Sequence, residues 1–241
     1  MDINAIKKRL NQLQSTNTRT SNLWKPQPGK QQVRIVPYKF NPDTPFIELF
    51  FHYNLGGKNY LSPISFGRPD PIEEFATKLK TSGNKEDYKL GKKIEAKMRT
   101  FAPVIVRGEE NEGVKFWGFG KMAYQQLLEL VLNPDYGDIT DTEEGTDLEI
   151  KYEKPAGASF PKTTITPRRR TSPMCSDAVG GTDECAKLLE SIPDFDSLFE
   201  RKTPAEVQEL LNKYLDGESA SNDDVVKYTD TSNSVDDAFN D

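Results

Sequence analysis

One stretch decides the fold: Arg99-Thr-Phe-Ala-Pro-Val-Ile-Val-Arg107, the turn Gly108-Glu-Glu-Asn-Glu-Gly113, and the returning run Val114-Lys-Phe-Trp-Gly-Phe-Gly120. Two alternating runs around a turn that contains glycine and asparagine predict a β-hairpin. Because successive side chains of a strand point to opposite faces, Lys115, Trp117 and Phe119 share one face and Val114 and Phe116 share the other. We expect the second face to lie in the core and the first to be exposed.

The face that combines a cation with aromatic rings suits single-stranded nucleic acid, because phosphates attract cations and unpaired bases stack on rings. The same combination recurs along the chain, and for each ring the alternative is a place in the core. The Arg168–Arg170 run alone could also be a solvated loop. The candidate nucleic-acid ligands are Tyr38, Tyr60, Lys97, Arg99, Phe101, Lys115, Trp117, Phe119, Lys121, Phe160, Lys162, Arg168, Arg169 and Arg170.

Composition indicates one substantial core with unfolded tails. The chain has 241 residues, of which 35% are hydrophobic, and its mean hydropathy of -0.71 is low for this length. No apolar run reaches the roughly 20 residues of a membrane span, and the N-terminus has no apolar signal-peptide core. We therefore expect a soluble intracellular protein without a membrane partner. The two cysteines, Cys175 and Cys185, are ten positions apart, and we expect both to be free thiols.

The net charge of -6 is unevenly distributed. Residues 216–241 hold eight acidic side chains and one lysine, so the other 215 residues are nearly neutral. Residues 1–34 and 77–107 are basic. The chain is thus a near-neutral body with basic patches and an acidic tail, and the acidic total does not exclude a nucleic-acid partner.

Local signals divide the chain into elements. Asp70-Pro-Ile-Glu73 combines a cap residue, a proline at the first helical position and a glutamate at the third, which predicts a helix start. A lysine-rich helix over 84–98 completes a helical insertion, and Thr203-Pro-Ala-Glu206 is a capping box that opens a later helix. The other predicted elements are a helix in 2–13, a linker at 15–31, strands at 33–40, 46–53, 58–61 and 148–152, helices at 122–132 and 184–192, and a basic loop at 154–174.

These elements predict a β-rich α+β fold, with a small barrel of oligonucleotide-binding type at its centre and an inserted helical subdomain. The pattern alone leaves a generic α+β domain open. An enzyme is disfavoured, because the single histidine, His52, stands in an alternating strand and no nucleophile, phosphate-loop or dinucleotide motif occurs.

The sequence resembles the single-stranded DNA-binding, helix-destabilising proteins of T-even-type tailed phages. The resemblance is clearest in Phe46-Ile-Glu-Leu-Phe-Phe-His52, in the segment 97–106 and in Glu110-Asn-Glu-Gly-Val-Lys-Phe-Trp-Gly-Phe-Gly-Lys121. It implies an oligonucleotide-binding core with a basic, aromatic cleft to which Trp117, Phe101 and Phe160 contribute. Thr100 replaces a family aromatic, so we expect this part of the cleft to be weaker.

The main departure from the family is its zinc site, which combines a histidine similar in position to His52 with three cysteines in the insertion. Residues 53–100 contain no cysteine, and Asp70-Pro-Ile-Glu73 stands where a C-x-x-C pair would fall. Since tetrahedral zinc needs four suitable ligands, we expect no zinc and no other cofactor. Packing of residues 72–79 and 90–98 would then hold the insertion together.

Together, the residues and the resemblance predict a non-enzymatic protein that binds single-stranded DNA cooperatively. We expect it to act in phage replication, recombination and repair, in the cytoplasm of the infected host. The resemblance implies an arm over 1–20 for self-association, with Lys7, Lys8 and Arg9. It implies a DNA-binding core over 21–215, with the insertion at 66–98. It also implies an acidic tail over 216–241 that recruits replication and recombination proteins. The alternatives are an adaptor for an acidic protein partner, an RNA-binding translational regulator and, more remotely, a nuclease.

Overall fold

The computed structural model describes residues 22–158, 160–175 and 182–217. In these ranges the chain forms eight strands and five α-helices of an α+β fold, so the predicted β-rich α+β class is confirmed, while the barrel of oligonucleotide-binding type stays a prediction. The strands are β1 Leu23–Trp24, β2 Gly29–Ile35, β3 Ile47–Leu55, β4 Lys58–Leu61, β5 Lys97–Val106, β6 Lys115–Phe119, β7 Thr146–Glu153 and β8 Lys162–Thr171. The helices are α1 Pro71–Thr81, α2 Lys85–Ile94, α3 Lys121–Val131, α4 Thr182–Glu190 and α5 Pro204–Leu215.

The sheet is mixed and runs in the order β1-β6-β5-β2-β7-β8, with β4 paired to β3 off this path. The short β1 is parallel to β6, whereas β5 and β6 form the antiparallel hairpin that the alternating runs predict. Strand β8 pairs with β7 and ends the path. No helix within the described ranges is long and apolar enough to cross a membrane.

The first compact unit contains residues 22–47 and 100–194. Its core lies between the inner face of the sheet and the buried side of α3, whose Ala123, Leu127 and Leu130 recur at helical spacing. The sheet contributes the buried side chains Val33, Ile35, Ala102, Val104, Val106, Trp117, Phe119, Leu148 and Ile150.

The second compact unit contains residues 48–99 and 195–217. The predicted capping residue Asp70 accepts hydrogen bonds from the backbone N–H groups of Ile72 (2.9 Å) and Glu73 (3.2 Å), and the predicted capping box opens α5. Helices α1 and α2 approach closely at Gly91, where a Cβ atom would lie 2.7 Å from the carbonyl oxygen of Ala76. The apolar faces of the insertion do pack together, in a core of Leu55, Tyr60, Ile72, Ala76, Ile94, Val207, Leu210 and Leu211.

Three sequence predictions are corrected here. Strand β2 begins at Gly29, inside the predicted linker, because residues 29–33 pair with β7. Helix α2 ends at Ile94, and the chain is again a strand from Lys97. Cys175 and Cys185 form a disulfide rather than free thiols. Their spacing in sequence gave no sign of this, but the fold brings their Cα atoms to 5.7 Å, within the range that a disulfide spans.

Candidate nucleic-acid interface

Four of the predicted cations, Lys162, Arg168, Arg169 and Arg170, lie exposed on strand β8. The prediction of a loop at 154–174 is wrong here, because residues 162–167 pair in register with β7. The run 163–166 contains only threonine and isoleucine, which favour extended backbone. Pro167 can follow it because β8 is an end strand, where a missing backbone donor need not break a ladder.

Two shallow grooves follow β8. One, of about 460 Å³, is lined by Thr166, Pro167, the three arginines and Glu149 of the neighbouring β7. The other, of about 310 Å³, lies between β8 and α3 and is lined by Lys162, Thr164, Met122, Gln125, Gln126 and Glu129.

The side chain of Gln126 fixes helix α3 against the backbone of β8. Its Nε2 donates to the carbonyl oxygen of Thr163 (3.3 Å), and its Oε1 accepts from the N–H of Ile165 (3.1 Å). These two bonds replace the hydrogen bonds that a further strand would make, and they satisfy two backbone groups on the outer edge of β8. The position of Lys162 is therefore set by a helix on one side and by β7 on the other.

The exposed cations of β8 differ from other lysines of this unit in their electrostatic surroundings. Lys115 contacts the carboxylates of Glu109 (3.5 Å) and Glu112 and keeps 15% of its side chain exposed. Lys30 and Lys151 also pair with glutamates. Among the residues that the structure describes, no ion pair is seen for Lys162 or for the three arginines, so their charge remains available to an anion.

The one predicted ring that is widely exposed, in the described ranges, is Phe160, with 66% of its surface open. It precedes Lys162 by two residues and stands immediately before β8. An exposed phenyl ring two residues from an exposed lysine is an arrangement on which an unpaired base can stack while its phosphate meets a charge.

The face expected to be exposed, with Lys115, Trp117 and Phe119, is instead the core face, so this prediction is wrong. The register places Trp117 opposite Ala102 and Phe119 opposite Thr100, on the inner side of the sheet. Trp117 and Phe119 are each 1% exposed. Alternation separated the two faces correctly, but β6 is an internal strand and both of its faces are covered, Phe116 being fully buried as well.

The other predicted ligands divide by exposure. Lys97 at the start of β5, in the second unit, and Lys121 at the start of α3, in the first, are both exposed. Lys7, Lys8 and Arg9 lie outside the described residues. Four other predicted ligands are buried and present little surface to a base or a phosphate. They are Tyr38 (5% exposed), Tyr60 (7%), Arg99 (4%) and Phe101 (2%). Their contact with DNA stays a prediction.

A partly buried ionic network, which was not predicted, holds the end of β8. The carboxylate of Asp147 accepts from the guanidinium groups of Arg34 (2.9 Å) and Arg107 (2.9 and 3.0 Å) and from the hydroxyl of Ser172 (3.2 Å). Arg34 also donates to the carbonyl oxygen of Ser172 at 2.7 Å. Ser172 directly follows the exposed arginine strand, so the network fixes where that strand ends. No local pattern signals these contacts, since the partners are at least 25 positions apart in the sequence.

Arg34 is fully buried, so its charge depends on the acceptors of the network for compensation. Burial lowers the pKa of its guanidinium, and the charge of Asp147 acts in the opposite direction. Arg34 further donates to the carbonyl oxygen of Gly145 at 2.9 Å. A side chain at Gly145 is excluded, since a Cβ atom there would lie 2.6 Å from the guanidinium.

The family model described as "gp32 DNA binding protein like" matches residues 27–216. The chain belongs to this family. The match covers both compact units from β2 to α5, including the exposed cations of β8. It therefore confirms the resemblance to this family and makes the chain a member of a family of DNA-binding proteins. A search of the curated proteins finds no significant match to the chain.

Proposed function

We propose that the protein binds single-stranded DNA, with little dependence on sequence, through the exposed surface of β8 and the ring of Phe160. The observation that carries this proposal is the group of exposed cations without ion pairs in the described ranges, Lys162 and Arg168–Arg170, on the strand that the exposed ring of Phe160 precedes. Membership of a DNA-binding family gives the observation its meaning.

The chemistry favours single strands over duplex. Arginine and lysine neutralise phosphates whatever the sequence, and each contact releases counterions, so affinity falls as salt rises. Stacking on Phe160 requires a base whose face is free, which a duplex does not offer. Charge and stacking together give binding that does not read the hydrogen-bonding edges of the bases. Such binding requires no catalytic group.

Cooperative binding is the finer part of the proposal. In the sequence, Ile3, Ile6, Leu10 and Leu13 recur at helical spacing beside the basic run 7–9. This arm would contact a neighbouring copy on the same strand. Deletion of residues 1–14 should then reduce cooperativity on poly(dT) while largely sparing affinity for a short oligonucleotide that holds one molecule.

The acidic tail and the biological setting complete the proposal. Residues 216–241, with a net charge of -7, would recruit replication and recombination proteins and compete electrostatically with DNA for the basic surface. The setting is phage DNA replication, recombination and repair in the cytoplasm of the infected host. In this role the protein has no enzymatic activity of its own.

The test is a titration of fluorescently labelled oligo(dT), followed by anisotropy, against oligo(U) and a DNA duplex of equal charge. The proposal predicts the order oligo(dT), then oligo(U), then duplex, with affinity falling steeply as salt rises. Equal affinity for duplex would indicate a general polyanion site, and preference for oligo(U) would indicate an RNA-binding protein. Failure to bind any of the three would favour an adaptor with an acidic protein partner.

A further inference from the structure

We infer that a buried hydrogen-bonded cluster of Ser62, His52 and Asp70 fastens the helical insertion to the β3–β4 hairpin, in the place where a metal centre would otherwise do so. The cluster lies wholly in the second unit and takes no part in the proposed DNA surface. The inference is therefore independent of the proposed function.

The cluster joins four elements. His52 lies on β3 and Ser62 directly follows β4, while Asp70 caps α1 and Ile94 ends α2. The Nδ1 atom of His52 is 2.7 Å from the carbonyl oxygen of Ile94, and its Nε2 atom is 2.8 Å from Oδ2 of Asp70. The hydroxyl of Ser62 donates to the same Oδ2 atom. Ser62 is fully buried, and His52 and Asp70 are 1% and 2% exposed.

The carbonyl of Ile94 fixes the position of one proton on His52. A carbonyl oxygen only accepts, so Nδ1 of His52 donates to Ile94. Burial raises the pKa of Asp70, but hydrogen bonds from His52 and Ser62 and the charge of His52 outweigh it, and the pKa lies below its ordinary value. Asp70 accepts from Ser62 and from the two N–H groups at the start of α1, and its Oδ2 atom pairs with Nε2 of His52.

A zinc ion does not fit these residues. Both ring nitrogens of His52 already have protein partners, the carbonyl oxygen of Ile94 and the carboxyl group of Asp70. Tetrahedral zinc needs four ligands, whereas the described ranges hold no group of three or more His, Cys, Asp or Glu side chains placed to bind a metal. Cys175 and Cys185 are joined to each other in the first unit.

The cluster supplies what a structural metal supplies, which is a link between segments that are far apart in sequence. His52 reaches a carboxylate 18 positions later and a carbonyl 42 positions later. That carbonyl, at the last residue of α2, has no partner within its own helix and would otherwise be unsatisfied. The link stands beside the apolar core of Leu55, Ile72, Ala76 and Ile94, so packing and hydrogen bonding hold the same two helices.

The experiment measures thermal unfolding and metal content of the full chain. His52→Gln and Asp70→Ser are the informative variants, since serine preserves an N-cap but cannot reach His52 as a charged acceptor. Asn84→Ala is the matched control, because Asn84 caps the start of α2 from an exposed position, at the opposite end of that helix from Ile94. We expect both cluster variants to lower Tm by several times as much as the control.

We also expect 1,10-phenanthroline to leave the Tm of the unmodified chain unchanged, and elemental analysis to find far less than one equivalent of zinc. If His52→Gln does not fold, Ser62→Ala, which removes one hydrogen bond, should still lower Tm by more than Asn84→Ala. A stoichiometric zinc content, a Tm that falls with the chelator, or cluster variants that unfold at the temperature of the control would overturn the inference.

Discussion

Replacement of Arg168, Arg169 and Arg170 by glutamine should weaken the salt dependence of single-stranded DNA binding by a predictable amount. All three side chains are exposed on β8 without ion pairs in the described ranges. Each cation that neutralises a phosphate of a single strand contributes about 0.7 to the slope of log affinity against log salt, so the triple variant should lose about 2 from that slope. Between 50 and 200 mM salt, the unmodified protein should lose about 20-fold more affinity than the variant.

The assay is anisotropy of labelled oligo(dT) at a series of salt concentrations, with thermal unfolding to verify that each variant is folded. Lys115→Gln is the matched control, because Glu109 and Glu112 already neutralise Lys115. The control should change the slope much less than one arginine does. A triple variant with the slope of the unmodified protein would refute the assignment of β8, and so would a control that changes the slope as much.

Three further predictions follow from burial and charge. Phe160→Ala should reduce oligo(dT) affinity by about 1–3 kcal/mol, the contribution of one stacked base, and leave the free energy of unfolding nearly unchanged because the ring is 66% exposed. Unchanged affinity would remove the ring from the site. Trp117→Ala should lower the free energy of unfolding by about 3–5 kcal/mol, because Trp117 is buried in the core. Denaturant titration measures this loss, and a small loss would place the ring of Trp117 outside the core. Deletion of residues 216–241 should raise oligo(dT) affinity at low salt, since the tail carries a net charge of -7, whereas equal affinity would contradict a competing tail.

The sequence predicted those helices and strands that contacts between neighbouring residues determine. Asp70 and the pair Thr203 and Glu206 cap helices through side-chain contacts within three residues, which the sequence reveals directly. The β5–β6 hairpin followed from alternation in the same way. His52 was predicted to stand in a strand, as it does in β3, but its partners were not predicted.

Which face of a strand points into the core cannot be predicted from the residues of that strand alone. Alternation assigned Trp117 and Phe119 to one face and Val114 and Phe116 to the other, but the choice of the inner face depends on the neighbouring strands and on α3. Strand β8 was missed because proline and a run of arginines are typical of loops, and an end strand tolerates both. The contacts of Asp147 with Arg34 and Arg107 join residues that only the folded chain brings together.

The central claim, that single-stranded DNA lies along β8, is tested most directly by hydrogen–deuterium exchange with and without saturating oligo(dT). In the full chain, under conditions where anisotropy shows complete binding, peptides that cover residues 160–172 should exchange more slowly with DNA than without it. Peptides from β6, which is internal to the sheet, should change little. Saturated binding with no change over 160–172, and protection confined to other segments, would contradict the claim.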